Sequence, residues 1–342
     1  MRIGLVGYGL GGRYFHAPFI EAAEDVSLAG VVTRSPQRRD ELAEDFPGVP
    51  VYDSMTDLLA SGVDAVTITT PPQTRRELVL EAIAAGVPTI ADKPFAPDAA
   101  AGRLLVAAAQ DAAVPLSVFH NRRWDADVRT LAAVLEDGAL GTLWSIESRF
   151  ELDLADYLDR GPDGGLLRDL GAHLVDQMVW LLGPVGTVYC AMDWVDYPEG
   201  RTDSFFTIVM QHVGGVRSTV TASKINRLIA KEYRAYGSDG SYVSRGTDVQ
   251  AVAIFAGLRP ATQGDSWGYE STSRWGILTT SDGPMPVPSQ QGAYQDYYSQ
   301  FAAALRGEAA FPVPAAEVIP TLEVLDAARV SEATGQVVSL NP

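Results

Sequence analysis

Cysteine is almost absent from this 342-residue chain. Cys190 stands alone, which excludes an intramolecular disulfide and any cysteine-based zinc site and suits a reducing compartment. A lone small thiol of this kind reads first as a buried hydrophobe. Histidine is scarce, with four residues, and no H-E-x-x-H pairs two of them at ligating spacing, so no metal site is expected. There is no G-x-S-x-G elbow and no P-loop. No stretch approaches about 18 uninterrupted apolar residues, and the first residues lack the charged start and apolar run of a leader peptide. The expectation is a cytoplasmic protein with no membrane partner. Positive charge is also short: 26 Lys and Arg against 43 Asp and Glu leave a formal charge of -17. That field repels nucleic acid, so an anionic ligand must be held by a local set of donors.

What is present begins at once. Arg2-Ile3-Gly4-Leu5-Val6 has the texture of a buried strand and runs into Gly7-Tyr8-Gly9-Leu10-Gly11-Gly12, a G-x-G-x-x-G. Gly7 permits the tight turn, Gly9 lets a pyrophosphate approach the backbone, and Gly12 allows the following helix to pack closely with its amides toward the phosphates. A glycine-rich turn would show the same hexamer. Here a helix from Arg13 to Ala23 and a strand from Val26 to Thr33 complete a βαβ unit, so Gly7, Tyr8, Gly9, Leu10 and Gly12 are taken as cofactor-binding.

Short apolar strands continue to alternate with Ala-rich helical segments through Val63–Thr69, Leu78–Ala85, Val87–Ile90, Pro97–Asp111 and Leu116–Phe119. This is the pattern of a Rossmann doubly wound parallel sheet. After His120 the texture changes. A helix over Asp127–Glu136 precedes alternating runs at Leu143–Phe150, Phe205–His212, Arg217–Lys224 and Tyr233–Gly237, which read as a large, mostly antiparallel sheet in a C-terminal α+β domain. Residues 258–288 read as loops with short strands, followed by helices near Tyr294–Leu305 and Ala315–Thr334. The expected division is 1–121 for the dinucleotide domain and 122–342 for substrate binding and dimerisation. On the sheet, Phe206, Ile208, Met210, Val216, Val220 and Ala222 form an apolar face that few helices can cover. A second copy of the chain is expected to close it, giving a homodimer or homotetramer through the C-terminal sheet.

An NAD site places Asp or Glu at the end of the second strand for the ribose 2′-hydroxyl. This chain has Thr33-Arg34-Ser35-Pro36 there, with Arg38 and Arg39 close behind. Guanidinium forks match phosphate oxygens, so Arg34 with Thr33 or Ser35 would hold a 2′-phosphate and Arg38 would support it. NADP(H) is therefore expected over NAD(H). The plain alternative, Ser35 capping a helix with Pro36 in its first turn, is compatible with that role.

Two clusters carry acid–base chemistry. Lys93, in Asp92-Lys93-Pro94, follows a strand at the carboxyl edge of the parallel sheet, where a lysine reaches a substrate hydroxyl or lies on the surface. Farther on, Gly164-Gly165 opens a helix on which Asp169 and His173 are four residues apart and share a face, with Asp176 one turn later. A carboxylate beside an imidazole sets its tautomer and favours the imidazolium, although a helix-start acid and a core histidine would look the same. His16, His120 and His212 are isolated in sequence.

The N-terminal glycine fingerprint, Asp92-Lys93-Pro94 and Gly164-Gly165 followed by Asp169-x-Gly171-x-His173 together resemble the Gfo/Idh/MocA oxidoreductases along the whole chain. Asp92 departs from that family's usual Glu-Lys-Pro, and Arg75 stands where a histidine often follows the Thr-Pro pair. His120–Asp125, Asp265–Gly268 and Arg13–Pro18 are similar to the NADP-dependent scyllo-inositol dehydrogenase branch. The resemblance implies substrate bound between two domains, Lys93 bonding the reacting oxygen, His173 transferring the proton and Asp169 holding the site in register. It further implies that Thr70, Pro71, Lys93 and Asn121 border the ribose and nicotinamide. Arg123, Asp153, Tyr157 and Arg160, together with Arg149, are candidates to face substrate. The expected activity is hydride transfer between NADP and a small polyhydroxylated compound, a polyol, cyclitol or sugar. The alternatives are a tightly held NAD serving as an internal redox relay, as in glycosidase-like relatives, and a non-enzymatic dinucleotide sensor.

Overall fold

The computed structural model describes residues 1–162 and 164–341, which form two compact units. The first comprises residues 1–121, 250–267 and 293–319, and the second 122–249, 268–292 and 320–342.

In the first unit six parallel strands run in the order β3-β2-β1-β4-β5-β6: β1 Arg2–Val6, β2 Ser27–Val32, β3 Val51–Tyr52, β4 Ala65–Ile68, β5 Thr89–Asp92 and β6 Leu116–Phe119. β4 and β6 are buried along their whole length, as strands covered on both faces must be, which explains their unbroken apolar texture. The order reverses between β1 and β4, where doubly wound sheets bind ligands at the strand carboxyl ends. A wide helical turn at Gly11–His16 leads into α1 Ala17–Ala22, followed by α2 Pro36–Asp45, α3 Met55–Ala60, α4 Pro72–Ala84 and α5 Ala99–Asp111. Ser35 caps α2, accepting from the Arg38 amide at 3.4 Å.

The chain returns to this unit later, where the sequence reading has only the second domain. α8 Val249–Phe255, α9 Pro260–Gln263 and α10 Gln295–Leu305 supply that return, apart from the first residue of α8. Tyr294, Tyr297, Tyr298 and Phe301 are fully buried there, with Tyr297 4.9 Å from Phe119 and Tyr294 5.1 Å from Phe19 between ring centroids. Burial of four large aromatics ties a segment distant in sequence to this core.

The second unit holds a nine-stranded sheet in the order β14-β13-β12-β11-β7-β10-β9-β8-β15. Its strands are β7 Leu143–Asp153, β8 Val185–Tyr197, β9 Gly200–His212, β10 Arg217–Ser223, β11 Ile225–Gly237, β12 Gly240–Gly246, β13 Gly276–Thr280, β14 Gly283–Val287 and β15 Val338–Ser339. Among the described residues of this sheet, only β7 and β10 pair in parallel. The helices are α6 Ala126–Glu136, α7 Ala172–Leu182 and α11 Ile319–Thr334. Tyr233 of β11 donates to Gln177 of α7 at 2.7 Å, and the Cys190 amide of β8 donates to Ser331 of α11 at 2.9 Å.

These helices correct one expectation. Phe206, Ile208, Met210, Val220 and Ala222 are 0% exposed within the single chain, and Val216 is half-buried, so that apolar face needs no second copy to cover it. The uncovered face is mixed, with Tyr189 and Ile277 exposed in the same cross-strand row as Glu147 and Arg234. Across it Glu147 lies opposite Arg234, and Arg149 opposite Glu232, which in turn faces Arg245.

Candidate functional site

At the end of β1, Gly7 has φ of 105°, a left-handed conformation that a side chain disfavours, and its N–H donates to Val32 O at 3.1 Å. A Cβ on Gly12 would strike the Gly7 carbonyl, so the helix approaches the turn only because residue 12 has none. A Cβ on Gly9 would project into open space. Bare backbone beside that space fits a dinucleotide pyrophosphate. Leu10 is exposed, but Tyr8 turns inward: its hydroxyl donates to Asp45 Oδ2 at 2.9 Å, and burial together with Asp45 pushes the phenol far above its ordinary range. Tyr8 therefore offers the loop its main chain.

Beyond β2, Thr33 is buried while Arg34 and Ser35 are exposed. Arg34 Nε donates to Asp53 O at 3.1 Å, Arg39 Nε donates to Thr33 O at 3.2 Å and pairs with the Asp53 carboxylate, and Arg38 pairs with Glu41 at 2.6 Å. Three guanidinium groups thus gather within the first turn after β2. Asp53 was not anticipated from the sequence, since it follows a two-residue strand with little pattern of its own.

The Asp92-Lys93-Pro94 segment leaves the end of β5 with a cis Lys93–Pro94 peptide. Asp92 Oδ1 accepts the Lys93 amide at 2.8 Å. Arg75, 3% exposed, donates to Thr70 O at 2.8 Å and to Pro94 O, clamping the Thr70-Pro71 turn to the lysine loop. Burial lowers the Arg75 pKa against the pull of Asp92. The arginine at the histidine-like position thus has a structural task. Asn121, just beyond β6, is buried.

In the second unit the segment bearing Asp169 and His173 starts with a wide turn at Leu167–Gly171 that continues into α7. Its first amide, Leu167 N, donates to Asp203 Oδ2 at 2.6 Å, and a Cβ on Gly165 would overlap that carboxylate, which accounts for the glycine there. Burial raises the Asp203 pKa against these amides. Asp169 pairs with Lys224 at 2.5 Å, and Lys224 also donates to Tyr157 O at 3.0 Å. Lys224 carries little signal in the sequence, a single lysine directly after a strand that is uncharged beyond Arg217. His173 is 5% exposed on α7. Asp176 takes both arms of Arg123, each at 2.8 Å, in a buried pair.

Of the remaining substrate candidates, Tyr157 is tied to Asp169 through Lys224, and Asp153 is half-buried. Asp153 pairs with Arg227 at 3.1 Å, Tyr157 is 63% exposed, and Arg160 stacks over Tyr197 at 4.5 Å. Arg149 pairs with Glu151 at 2.8 Å and lines a cavity of about 470 Å³ on the uncovered sheet face, with Arg234, Arg245 and Arg274. That cavity contains none of Asp169, His173 or Lys224. Arg149 therefore lies on the face opposite α7.

Residues 1–120 match the model of the oxidoreductase family with an NAD-binding Rossmann fold, and residues 128–243 match the GFO/IDH/MocA C-terminal domain. The chain is 30% identical to the scyllo-inositol 2-dehydrogenase (NADP+) of Bacillus subtilis, over 97% of this chain and 93% of that protein. It is 32% identical to a D-apiose dehydrogenase of Rhizobium rhizogenes over 66% of this chain and 67% of that one. Among solved structures, an oxidoreductase from Yersinia pestis superposes with a TM-score of 0.91 at 31% identity, covering 100% of this chain and 97% of that one. With both domains matched in order, the chain belongs to the Gfo/Idh/MocA oxidoreductase family.

Proposed function

We propose that this oxidoreductase moves a hydride between NADP and a carbinol or ketone carbon of a polyol, cyclitol or sugar. The observation that carries the cofactor choice is the cluster of Arg34, Arg38 and Arg39 where an acid would bind a free ribose hydroxyl. The polyol reading is supported by the dehydrogenases of scyllo-inositol and D-apiose among its relatives. The nicotinamide supplies the hydride chemistry. Gly7, Gly9, Leu10 and Gly12 present the pyrophosphate cradle, Arg34 with Thr33 and Ser35 takes the 2′-phosphate, and Thr70, Pro71 and Asn121 border the ribose and nicotinamide. Lys93 donates a hydrogen bond to the reacting oxygen. His173 removes the hydroxyl proton in oxidation and returns it in reduction, with Asp169 setting its tautomer. Asp153, Tyr157 and Arg160 remain candidates for selecting hydroxyls, while Arg123 acts by bracing α7 through Asp176.

Two copies joined through the uncovered sheet face are part of the same proposal, supported by alternating Glu147, Arg149, Glu232 and Arg234, a pattern that can pair with itself about a two-fold axis. A panel of cyclitols, alditols and keto-sugars with NADP(H) and NAD(H), followed by absorbance of the reduced nicotinamide, tests the reading. Turnover of a polyhydroxylated substrate with NADP preferred is the expected result. Activity only on simple aliphatic alcohols or amino acids would overturn it.

A further inference from the structure

None of the roles above employs His16, yet its side chain is completely buried at the end of the turn that follows the glycine loop. All of its surroundings belong to the first unit. Nδ1 lies 2.6 Å from the Tyr298 hydroxyl, the ring packs 4.3 Å from Phe119 between centroids, and Nε2 lies 3.3 Å from Asp92 Oδ2, within ion-pair distance but without the alignment of a hydrogen bond. Thr69 Oγ1 donates to the same Oδ2 at 2.8 Å, while Oδ1 accepts the Lys93 amide at 2.8 Å. Burial alone would raise the Asp92 pKa, but His16, Arg75 and Lys93 outweigh it and hold the carboxyl well below its usual range. A Cβ on Gly11 would sit 2.8 Å from Thr69 Oγ1 and 3.4 Å from Asp92 Oδ2, so the glycine loop rests directly on this network. One ionised, largely buried carboxylate therefore joins the glycine loop, the Thr69 turn and the lysine segment.

We propose that His16 is a positioning residue: gripped by Tyr298 and Phe119, its Nε2 edge holds Asp92 in the orientation that anchors the Lys93 amide, Thr69 and the floor of the dinucleotide loop. A buried carboxylate that loses a polar neighbour rotates toward another or takes up a proton, and either response releases what it anchored. His16 acts through Asp92 and touches neither substrate nor cofactor. The part of the inference concerning Lys93 rests on the reaction proposed above, whereas the part concerning the dinucleotide loop does not.

Two amide substitutions separate positioning from bulk stability. His16→Gln brings an amide near the Nε2 position, toward Asp92, whereas His16→Asn reaches only the Nδ1 position, toward Tyr298. The measurements are NADPH and NADH dissociation constants by fluorescence titration without substrate, the Tm, and kcat and KM for the best carbinol. His16→Asn is expected to weaken dinucleotide binding and lower kcat by about tenfold to 100-fold, with KM for the carbinol near that of the wild type. His16→Gln should restore most of both, and His16→Asn added to Asp92→Asn should cause little further loss. Equal losses in the two amide variants that follow Tm alone, or wild-type dinucleotide affinity in His16→Asn, would overturn the proposal. Should His16→Asn fail to fold, Tyr298→Phe loosens the same imidazole, and unchanged dinucleotide affinity there would overturn it too. A wild-type protein that oxidises no carbinol, combined with weakened NADPH binding in His16→Asn, refutes the proposed reaction and leaves the hold of His16 on the loop standing.

Discussion

Lys224 Nζ lies 2.5 Å from Asp169 Oδ2, so the carboxylate expected to act on His173 already carries a cation of its own. The two residues come from the bend between β10 and β11 and from the turn that opens α7, and a second bond from Lys224 to Tyr157 O fixes the ammonium in place. A paired carboxylate favours a neighbouring imidazolium less than a bare one does.

Lys224→Met is therefore expected to raise the kinetic pKa assigned to His173, because the uncompensated Asp169 charge then favours the protonated ring. Asp169→Asn is expected to lower it. A pH–rate profile of kcat/KM for the three proteins checks the signs, and identical profiles would remove Asp169 and Lys224 from the proton-transfer step.

Arg34→Ala is expected to weaken NADPH by about 1–3 kcal/mol, the scale of a lost charge-assisted hydrogen bond, and to leave NADH nearly unchanged. Calorimetric titration with each cofactor gives the comparison. Equal losses for both would assign Arg34 to adenine stacking or to the loop bearing Asp53.

Periodicity and local motifs made part of this molecule legible in advance. The first strand, its glycine turn and the parallel sheet are local in sequence, and Ser35-Pro36 announces the start of α2. What could not be read was set by partners far away in the chain. β8 alternates only loosely because few of its residues are buried, and residues 293–319 join the first unit through aromatic burial that no window of sequence records. Arg75 illustrates the same limit within the site: its two acceptors are backbone carbonyls at Thr70 and Pro94, and a carbonyl has no letter in a sequence. The side of the sheet left open is hidden for a similar reason, since the alternation of Phe206, Ile208, Met210, Val220 and Ala222 marks a buried face without saying that the chain's own residues bury it.

A buried cluster in the second unit makes a pH prediction. Lys231 Nζ lies 2.7 Å from Asp125 and 3.1 Å from Asp127, and Arg122 lies 3.0 Å from Asp125 and 2.8 Å from Asp248. Burial, with repulsion from Asp125 and Asp248, pushes Asp127 up to about 6 against the pull of Lys231. The ordinary value is 3.8, so between the two the folded chain binds the extra proton and this group's contribution to stability falls as pH rises. Asp127→Asn is expected to flatten that part of the Tm profile. Lys231→Met, which strands buried carboxylates, should destabilise the protein by about 3–5 kcal/mol at neutral pH. An unchanged slope in Asp127→Asn would contradict the assignment.

The most direct test of hydride transfer follows the hydrogen itself. A polyol substrate deuterated at the reacting carbinol carbon is incubated with the wild type, Lys93→Met and His173→Ala in the presence of excess NADP, and the nicotinamide is examined by mass spectrometry. Singly deuterated NADPH is expected to accumulate in solution in step with the ketone, at rates lowered by about 100-fold or more in both variants while NADPH still binds. Label that exchanges or returns to product without net NADPH would mark an internal redox relay, and undiminished rates in the variants would take Lys93 and His173 out of the chemistry.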